Sequence, residues 1–235
     1  GQVDSLMYLG RYQAAMQVAE WAIPVFRTTG DQLGRAMMIE NLGNIYARLG
    51  IYPEARQQYA QARALYIDLD DRRHLAQLSA NEANVLTNLN DFRQAETLYQ
   101  VARAHFENAN MTSAVAQIDH NLAYLYFTQG DYQRALVTFN AARKTFEAQA
   151  STIDVAYIDL YRSEIYLELN LWQEALDMAR QARAALEPAQ LHWEIALLWL
   201  NEAAALAHTN GYAAATQALD KARQMFAQEQ NQTWV

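Results

Sequence analysis

The chain has 235 residues, 52% of them hydrophobic, enough to bury a sizeable core in one large domain or two small ones. With 19% charged residues, 8 Gly and 3 Pro, its composition excludes disordered, collagen-like and low-complexity classes and favours helix. A net charge of −8, a pI near 5.1 and the lack of any basic stretch exclude an unaided nucleic-acid or anionic-membrane surface, which needs concentrated Lys and Arg.

There is no cysteine, so neither a disulfide framework nor a thiolate site can form, which fits a reducing, cytoplasmic setting. No apolar run reaches the roughly 20 residues that span a bilayer, and the first residues do not resemble a signal peptide. The chain opens on Gly1-Gln2 rather than Met, halfway along a helix, so it is expected to be a segment of a longer protein.

From that half-helix onward the sequence repeats every 40 residues. The units are residues 1–30 (partial), 31–70, 71–110, 111–150, 151–190 and 191–230, about five and a half in all and read as one domain over 1–235. Only Gly or Asn occupies the row Gly10, Gly50, Asn90, Gly130, Asn170 and Asn210. These residues best tolerate positive φ, so each marks the C′ position where one helix turns into the next. Before each turn a first helix carries Ala36, Ala76, Ala116, Ala156 and Ala196. Seven residues later come Gly43, Ala83, Ala123, Ser163 and Ala203, and three further Tyr46, Leu86, Tyr126, Tyr166 and Leu206. Small residues beside large ones predict close helix crossings.

After each turn a second helix begins at the aromatic or indole row Tyr12, Tyr52, Phe92, Tyr132, Trp172 and Tyr212. Ala15, Ala55, Ala95, Ala135, Ala175 and Ala215 follow, then Ala22, Ala62, Ala102, Ala142, Ala182 and Ala222, then Phe26, Tyr66, Phe106, Phe146, Leu186 and Phe226. Steps of 3, 10 and 14 from the first aromatic share one helical face, so the whole set is expected to form a buried stripe. Pro188 is expected to end its helix early. The last second helix is expected to finish near Gln230, with Asn231 to Val235 forming no polar cap.

Leu42-Gly43-x-x-Tyr46, then Ala55-x-x-x-Tyr59 and Ala62, resembles the tetratricopeptide-repeat (TPR) signature, and the match extends over the whole chain. The resemblance implies an all-α, right-handed superhelical solenoid of antiparallel helix pairs. Gly43 to Ala62 spans 19 positions as in the common 34-residue unit, so the six extra residues are expected to extend the end of the second helix and the start of the following first helix. Such longer units are similar to the TPR regions of CHAT-domain proteases, MalT-like regulators and Pins-type adaptors.

No catalytic constellation is visible, and no enzyme is expected. His74, His105, His120, His192 and His208 are scattered, with no His-x-x-x-His pair, so no metal and no cofactor is expected. There is no Gly-rich phosphate loop and no G-x-S-x-G elbow. Asp68-Leu69-Asp70-Asp71 lacks the Gly and closing Glu of a calcium loop and reads as a solvated turn.

In a TPR superhelix the first helices line the concave groove, and two rows stand out there. One is Asn41, Asn81, Asn121, Tyr161 and Asn201; the other is Asn44, Asn84, Tyr124, Glu164 and Ala204. Residues three apart on a helix are neighbours, so Asn41 with Asn44, and Asn81 with Asn84, project together. An amide carries both donor and acceptor, as needed to pair with an extended main chain without reading its side chains. In Pins-type and kinesin-light-chain domains asparagines at equivalent positions hold the ligand backbone, and the resemblance implies the same use here. Asn is also common at these positions in TPR units generally, where it satisfies neighbouring backbone or solvent.

Tyr124, Phe127, Tyr157, Leu160, Tyr161, Trp193 and Leu200 are expected to add an apolar pocket on the same face, while Trp199 is read as packing. Glu40, Glu164 and Glu168 bring negative charge to this face and Arg48 is its main cation. The Lys/Arg cluster that clamps a terminal carboxylate in chaperone-binding TPR domains is not matched, since Met37, Glu40, Gln77, Ala80 and Gln117 stand there. Arg63, Arg103, Arg143, Arg183 and Arg223 form a further row on the second helix, expected to pair with acids in the adjoining turns.

The expected function is a non-catalytic scaffold that takes an extended peptide or protein segment in its groove, at Asn41, Asn44, Arg48, Asn81, Asn84, Asn121, Tyr124, Tyr157, Tyr161 and Asn201. The alternative is an intramolecular regulatory or oligomerising solenoid for an adjoining effector domain such as a CHAT protease. In that case the contact is with flanking parts of the same chain or with a second copy. Neither reading involves nucleic acid or a membrane.

Overall fold

The computed structural model describes residues 1–232, and of Asp4, Tyr8 and residues 228–232 it describes the backbone alone. The end of the stretch expected to carry no cap, residues 233–235, lies outside the described residues. The helices are α1 (Gln2–Tyr8), α2 (Tyr12–Thr29), α3 (Gln32–Arg48), α4 (Tyr52–Asp68), α5 (Arg72–Asn88), α6 (Phe92–Asn108), α7 (Thr112–Thr128), α8 (Tyr132–Ala148), α9 (Thr152–Glu168), α10 (Trp172–Leu186), α11 (His192–His208) and α12 (Tyr212–Gln232). No strand occurs among the described residues, and none of their helices is long and apolar enough to cross a membrane.

The helices pack as consecutive pairs, in two compact units of residues 1–114 and 115–235. In unit 1 each of α1 to α6 packs on its neighbour in sequence; in unit 2 the same holds from α8 to α12. Alanine makes this possible. Ala55, Ala95, Ala135 and Ala175 on the second helices are fully buried, as are Ala36, Ala83, Ala123 and Ala196 on the first. Gly43 marks a close crossing, because a Cβ there would lie 2.6 Å from the Tyr59 ring.

The turns confirm the Gly/Asn row: φ is 69° at Gly10, 74° at Gly50, 60° at Asn90, 75° at Gly130, 59° at Asn170 and 62° at Asn210. A second left-handed row lies between units, at Gly30, Asp70, Asn110, Ala150 and Gln190, with φ of 77°, 51°, 54°, 54° and 54°. The 40-residue unit is thus two 20-residue halves, each a 17-residue helix and a three-residue turn, as in α5 and α6. Asp31, Asp71, Asp91 and Asp131 cap the following helix by accepting from the backbone N–H of Gly34, His74, Gln94 and Arg134. The Asp68–Asp71 stretch is therefore a turn and cap.

Two expectations are corrected. The row Tyr12, Tyr52, Phe92, Tyr132 and Trp172 is half-buried, and Tyr212 is 65% exposed, because the first residue of each second helix sits at the rim of the stack. In the arginine row, Arg103, Arg143 and Arg183 pair as expected with Glu107, Glu147 and Glu187 at the end of their own helix, but Arg63, Arg143 and Arg183 reach past the turn to the next first helix. Arg63 bonds Glu82 at 2.7 Å, Arg143 bonds Asp159 at 2.9 and 3.0 Å, and Arg183 bonds Glu202 at 3.2 Å. These ties are structural: Asp159 and Glu202 are buried, and Arg162 also bonds Asp159 at 2.9 Å. Pro188 does end its helix early, since α10 stops at Leu186 and Glu187–Ala189 forms a 3-10 turn.

Candidate functional site

Unit 1 holds a concave pocket of about 500 Å³ whose walls include Asn44, Arg48, Asn81, Asn84 and Asn88, with Met7, Tyr12, Ala47, Tyr52, Tyr59 and Val85. Four of the expected groove residues, Asn44, Arg48, Asn81 and Asn84, meet here on α3 and α5. Asn41 is half-buried and not among the walls. Asn88, one turn beyond Asn84, joins them.

Asn44 and Asn84 are each held at the oxygen, and Asn81 at both ends. The Tyr59 hydroxyl on α4 donates to Asn44 Oδ1 at 2.8 Å, and the Tyr99 hydroxyl on α6 donates to Asn84 Oδ1 at 2.5 Å. Asn81 Nδ2 donates to Glu40 Oε1 at 2.8 Å, and Gln77 Nε2 stands 3.4 Å from Asn81 Oδ1. The Nδ2 groups of Asn44 and Asn84, and the Arg48 guanidinium, have no hydrogen-bond or ion-pair partner among the described residues.

Glu40 is corrected from a groove acid to a buried one: it is 6% exposed and also accepts from the Tyr66 hydroxyl at 2.7 Å. Burial pushes its carboxyl above the ordinary value, and the Tyr66 bond, the nearby His74 and the Asn81 bond partly offset that. The Tyr66 ring stacks on His74 at 5.0 Å, and His74 Nδ1 lies 2.6 Å from Asp71 Oδ2. A polar chain thus runs from the half-buried Asp71 and His74 through the buried Tyr66 and Glu40 and ends on Asn81.

Unit 2 uses the same positions differently. Tyr124 packs against Tyr161 at 5.1 Å and Phe127 at 6.2 Å, and Tyr161 stacks on Phe139 at 5.7 Å. His120 meets Phe139 and Tyr161 edge-on, and burial pushes its pKa down to about 4, so it is neutral near pH 7. Burial likewise raises the Tyr161 phenol. The rings expected to line an apolar pocket pack on one another, and Leu160 is buried in the core. Tyr157 donates to Glu194 at 2.8 Å, and Asn201, itself buried, donates to Ser163 Oγ at 2.8 Å. Asn121 is half-buried on α7. Burial raises Glu164 to about 7, opposed by a hydrogen bond from Asn201 and reinforced by Glu168. Trp193 is 54% exposed with its edge on Phe226, whereas Trp199 packs under Arg183 at 3.7 Å.

Tyr59 was read only as part of the repeat signature and Tyr99 was not singled out, and neither was read as the partner of an amide. At their position the chain has Tyr59, Tyr99, Phe139, Ala179 and Leu219, opposite Asn44, Asn84, Tyr124, Glu164 and Ala204. A hydroxyl occurs only where an amide awaits it.

A tetratricopeptide-repeat family model matches residues 34–108, the segment that builds most of this pocket. The chain has the tetratricopeptide-repeat fold. Solved TPR-like structures match it end to end at low identity. BtubC (BKLC) from P. vanneervenii is 16% identical with a TM-score of 0.73, over 98% of this chain and 93% of that one. The apo form of RapI is 13% identical with a TM-score of 0.74, over 96% and 82%. The Rap conjugation gene regulator of plasmid pLS20, in complex with the Phr* peptide, is 15% identical with a TM-score of 0.59, over 97% and 73%. At these identities the likeness is one of fold. No curated protein sequence matches.

Proposed function

We propose that the chain is a non-catalytic protein-interaction scaffold whose unit 1 pocket takes an extended peptide or protein segment. The observation that carries this is the convergence of Asn44, Asn84 and Arg48, donors without partners among the described residues, on one concave wall. Asn44 is half-buried and Asn84 and Arg48 are exposed, so their donors are open to a ligand rich in carbonyl oxygens, and an extended main chain supplies these at regular intervals. The peptide complex of the fold relative from plasmid pLS20 supports the same reading. Within unit 2 by itself, the half-buried Asn121, Tyr124, Tyr157 and Tyr161 form a second proposed contact surface, while Asn201 is buried, bonded to Ser163, and is not part of it.

The test is affinity selection of linear peptides from a random displayed library on the intact chain, followed by titration of the winners. Asn44→Ala with Asn84→Ala should weaken them by about 1 to 3 kcal/mol, one or two lost hydrogen bonds. No enrichment, or unchanged affinity in the double variant, defeats the groove reading.

A second reading rests on α12. Leu219 shares its row with Tyr59, Tyr99, Phe139 and Ala179, all buried, yet is 50% exposed, beside the exposed Tyr212. Such a face suits a flanking domain of the same chain or a second copy. Concentration-dependent sedimentation that Leu219→Glu abolishes would favour it.

A further inference from the structure

We infer that Tyr59, Tyr99 and Glu40 are positioning residues that fix which end of each groove amide meets the ligand, so that the pocket receives a main chain through two carbonyls and one N–H. This rests on the groove reading above and deepens it.

An asparagine alone can turn either end outward, because its oxygen and nitrogen are nearly the same size. Here each is prevented from doing so. Glu40 accepts at both carboxyl oxygens, from the Tyr66 hydroxyl and from Asn81 Nδ2 at 2.8 Å, so Oδ1 becomes the outward group of Asn81; it takes one proton from Gln77 Nε2 at 3.4 Å and keeps a second lone pair for a ligand. Glu40 is held in turn by the Tyr66 hydroxyl at 2.7 Å, in a buried setting where an unmade bond is costly. Asn44 and Asn84 are turned the other way: their Oδ1 atoms take the single protons of the Tyr59 and Tyr99 hydroxyls. Those rings are 2% and 1% exposed, so the hydroxyls cannot swing aside. Tyr59 is wedged against Gly43, whose missing Cβ leaves room for the ring.

The pocket therefore offers two donors, from α3 and α5, and one acceptor from α5. A main chain that presents carbonyls to Asn44 and Asn84 and an N–H to Asn81 satisfies all three. The reversed presentation leaves two N–H groups facing N–H groups. The amides thereby discriminate between ways of laying a chain in the groove, independently of its side chains.

The decisive experiment follows the side-chain amide resonances of the 15N-labelled full chain as a pool of N-acetylated, C-amidated random octapeptides is added. In the free chain the Asn81 N–H2 protons should exchange with water more slowly than those of Asn44 and Asn84. The peptides should shift the Asn44 and Asn84 N–H2 signals and slow their exchange, and leave the already slow exchange of Asn81 N–H2 unchanged. Tyr59→Phe with Tyr99→Phe keeps the buried rings, as Phe139 does naturally at 0% exposure, and should weaken the pool's apparent affinity about 3- to 10-fold, the worth of a hydrogen bond or less. Asn44→Asp with Asn84→Asp still accepts from the tyrosines but has no N–H, so it should keep the fold and lose the pool. A merely structural amide would tolerate that change. Exchange at Asn81 N–H2 as fast as at Asn44 and Asn84, or full affinity in either double variant, overturns the inference while leaving the groove reading intact. If no resonance of α3 or α5 moves, the groove reading fails and takes the inference with it.

Discussion

In unit 1 the ladder positions hold Asn44 and Asn84, each tied by a tyrosine hydroxyl and each facing an open pocket; in unit 2 they hold Tyr124, Glu164 and Ala204. Around Tyr124 the rings of Phe127, Phe139 and Tyr161 pack on one another, and Glu164 is a half-buried acid without an ion-pair partner among the described residues. The same alanine scaffold thus carries two surfaces. Buried alanines fix the helix crossings, while positions one turn away are free to become polar or aromatic without disturbing them.

The largest expected effect tests how firmly each unit is tied together. Asp159, 3% exposed, holds both Arg143 and Arg162, whereas Arg63 and Glu82 of unit 1 keep 32% and 23% of their side-chain surface. Asp159→Ala should cost about 3 kcal/mol by urea denaturation and Glu82→Ala about 1 or less. Equal costs would erase the distinction.

Next comes pH. Burial lifts Glu164 from 4.5 to about 7, so the folded chain binds its proton more tightly than the unfolded one. That stability is complete below pH 4.5 and is lost as pH rises through 7. Glu164→Gln should therefore stabilise the chain at pH 8 by about 1 to 2 kcal/mol, discounted for solvent screening, with little effect at pH 4. His120 runs oppositely: lowered from 6.5 to about 4, it contributes above pH 6.5 and loses that contribution as pH falls through 4. Paired unfolding curves at the two pH values check both signs.

Exchanging the units' chemistry gives the third test. Phe139→Tyr would bury a hydroxyl among His120 and Tyr161 with no amide opposite, and should cost about 1 to 2 kcal/mol. Adding Tyr124→Asn supplies the amide and should recover part of it, measured as a double-mutant cycle. Smallest is the turn: Ala150 sits at φ 54°, so Ala150→Gly should raise stability by about 0.5 to 1 kcal/mol, read as a small rise in Tm.

Much of this was legible in the repeat. The Gly/Asn row announced the positive φ it adopts, because few other residues tolerate that conformation, and the alanine rows announced the buried crossings. Ala150 and Gln190 hid the second turn row, since nothing in their chemistry asks for φ above zero and the neighbouring helices impose it. Asn44, Arg48, Asn81 and Asn84 were placed on one face by helical spacing, and they do meet. Glu40 has the same spacing but is buried, because Tyr66 comes from the partner helix to cover it.

Sequence by itself therefore determined the helix pairs, their length and which residues share a face, since each follows from local periodicity and turn chemistry. Only the tertiary structure decided what each polar side chain does on its face. Asn44 and Asn81 look alike in the sequence, but a tyrosine 15 positions later turns one amide outward as a donor, and a carboxylate 41 positions earlier turns the other outward as an acceptor. Those partners arrive from other helices, at distances that no local pattern encodes.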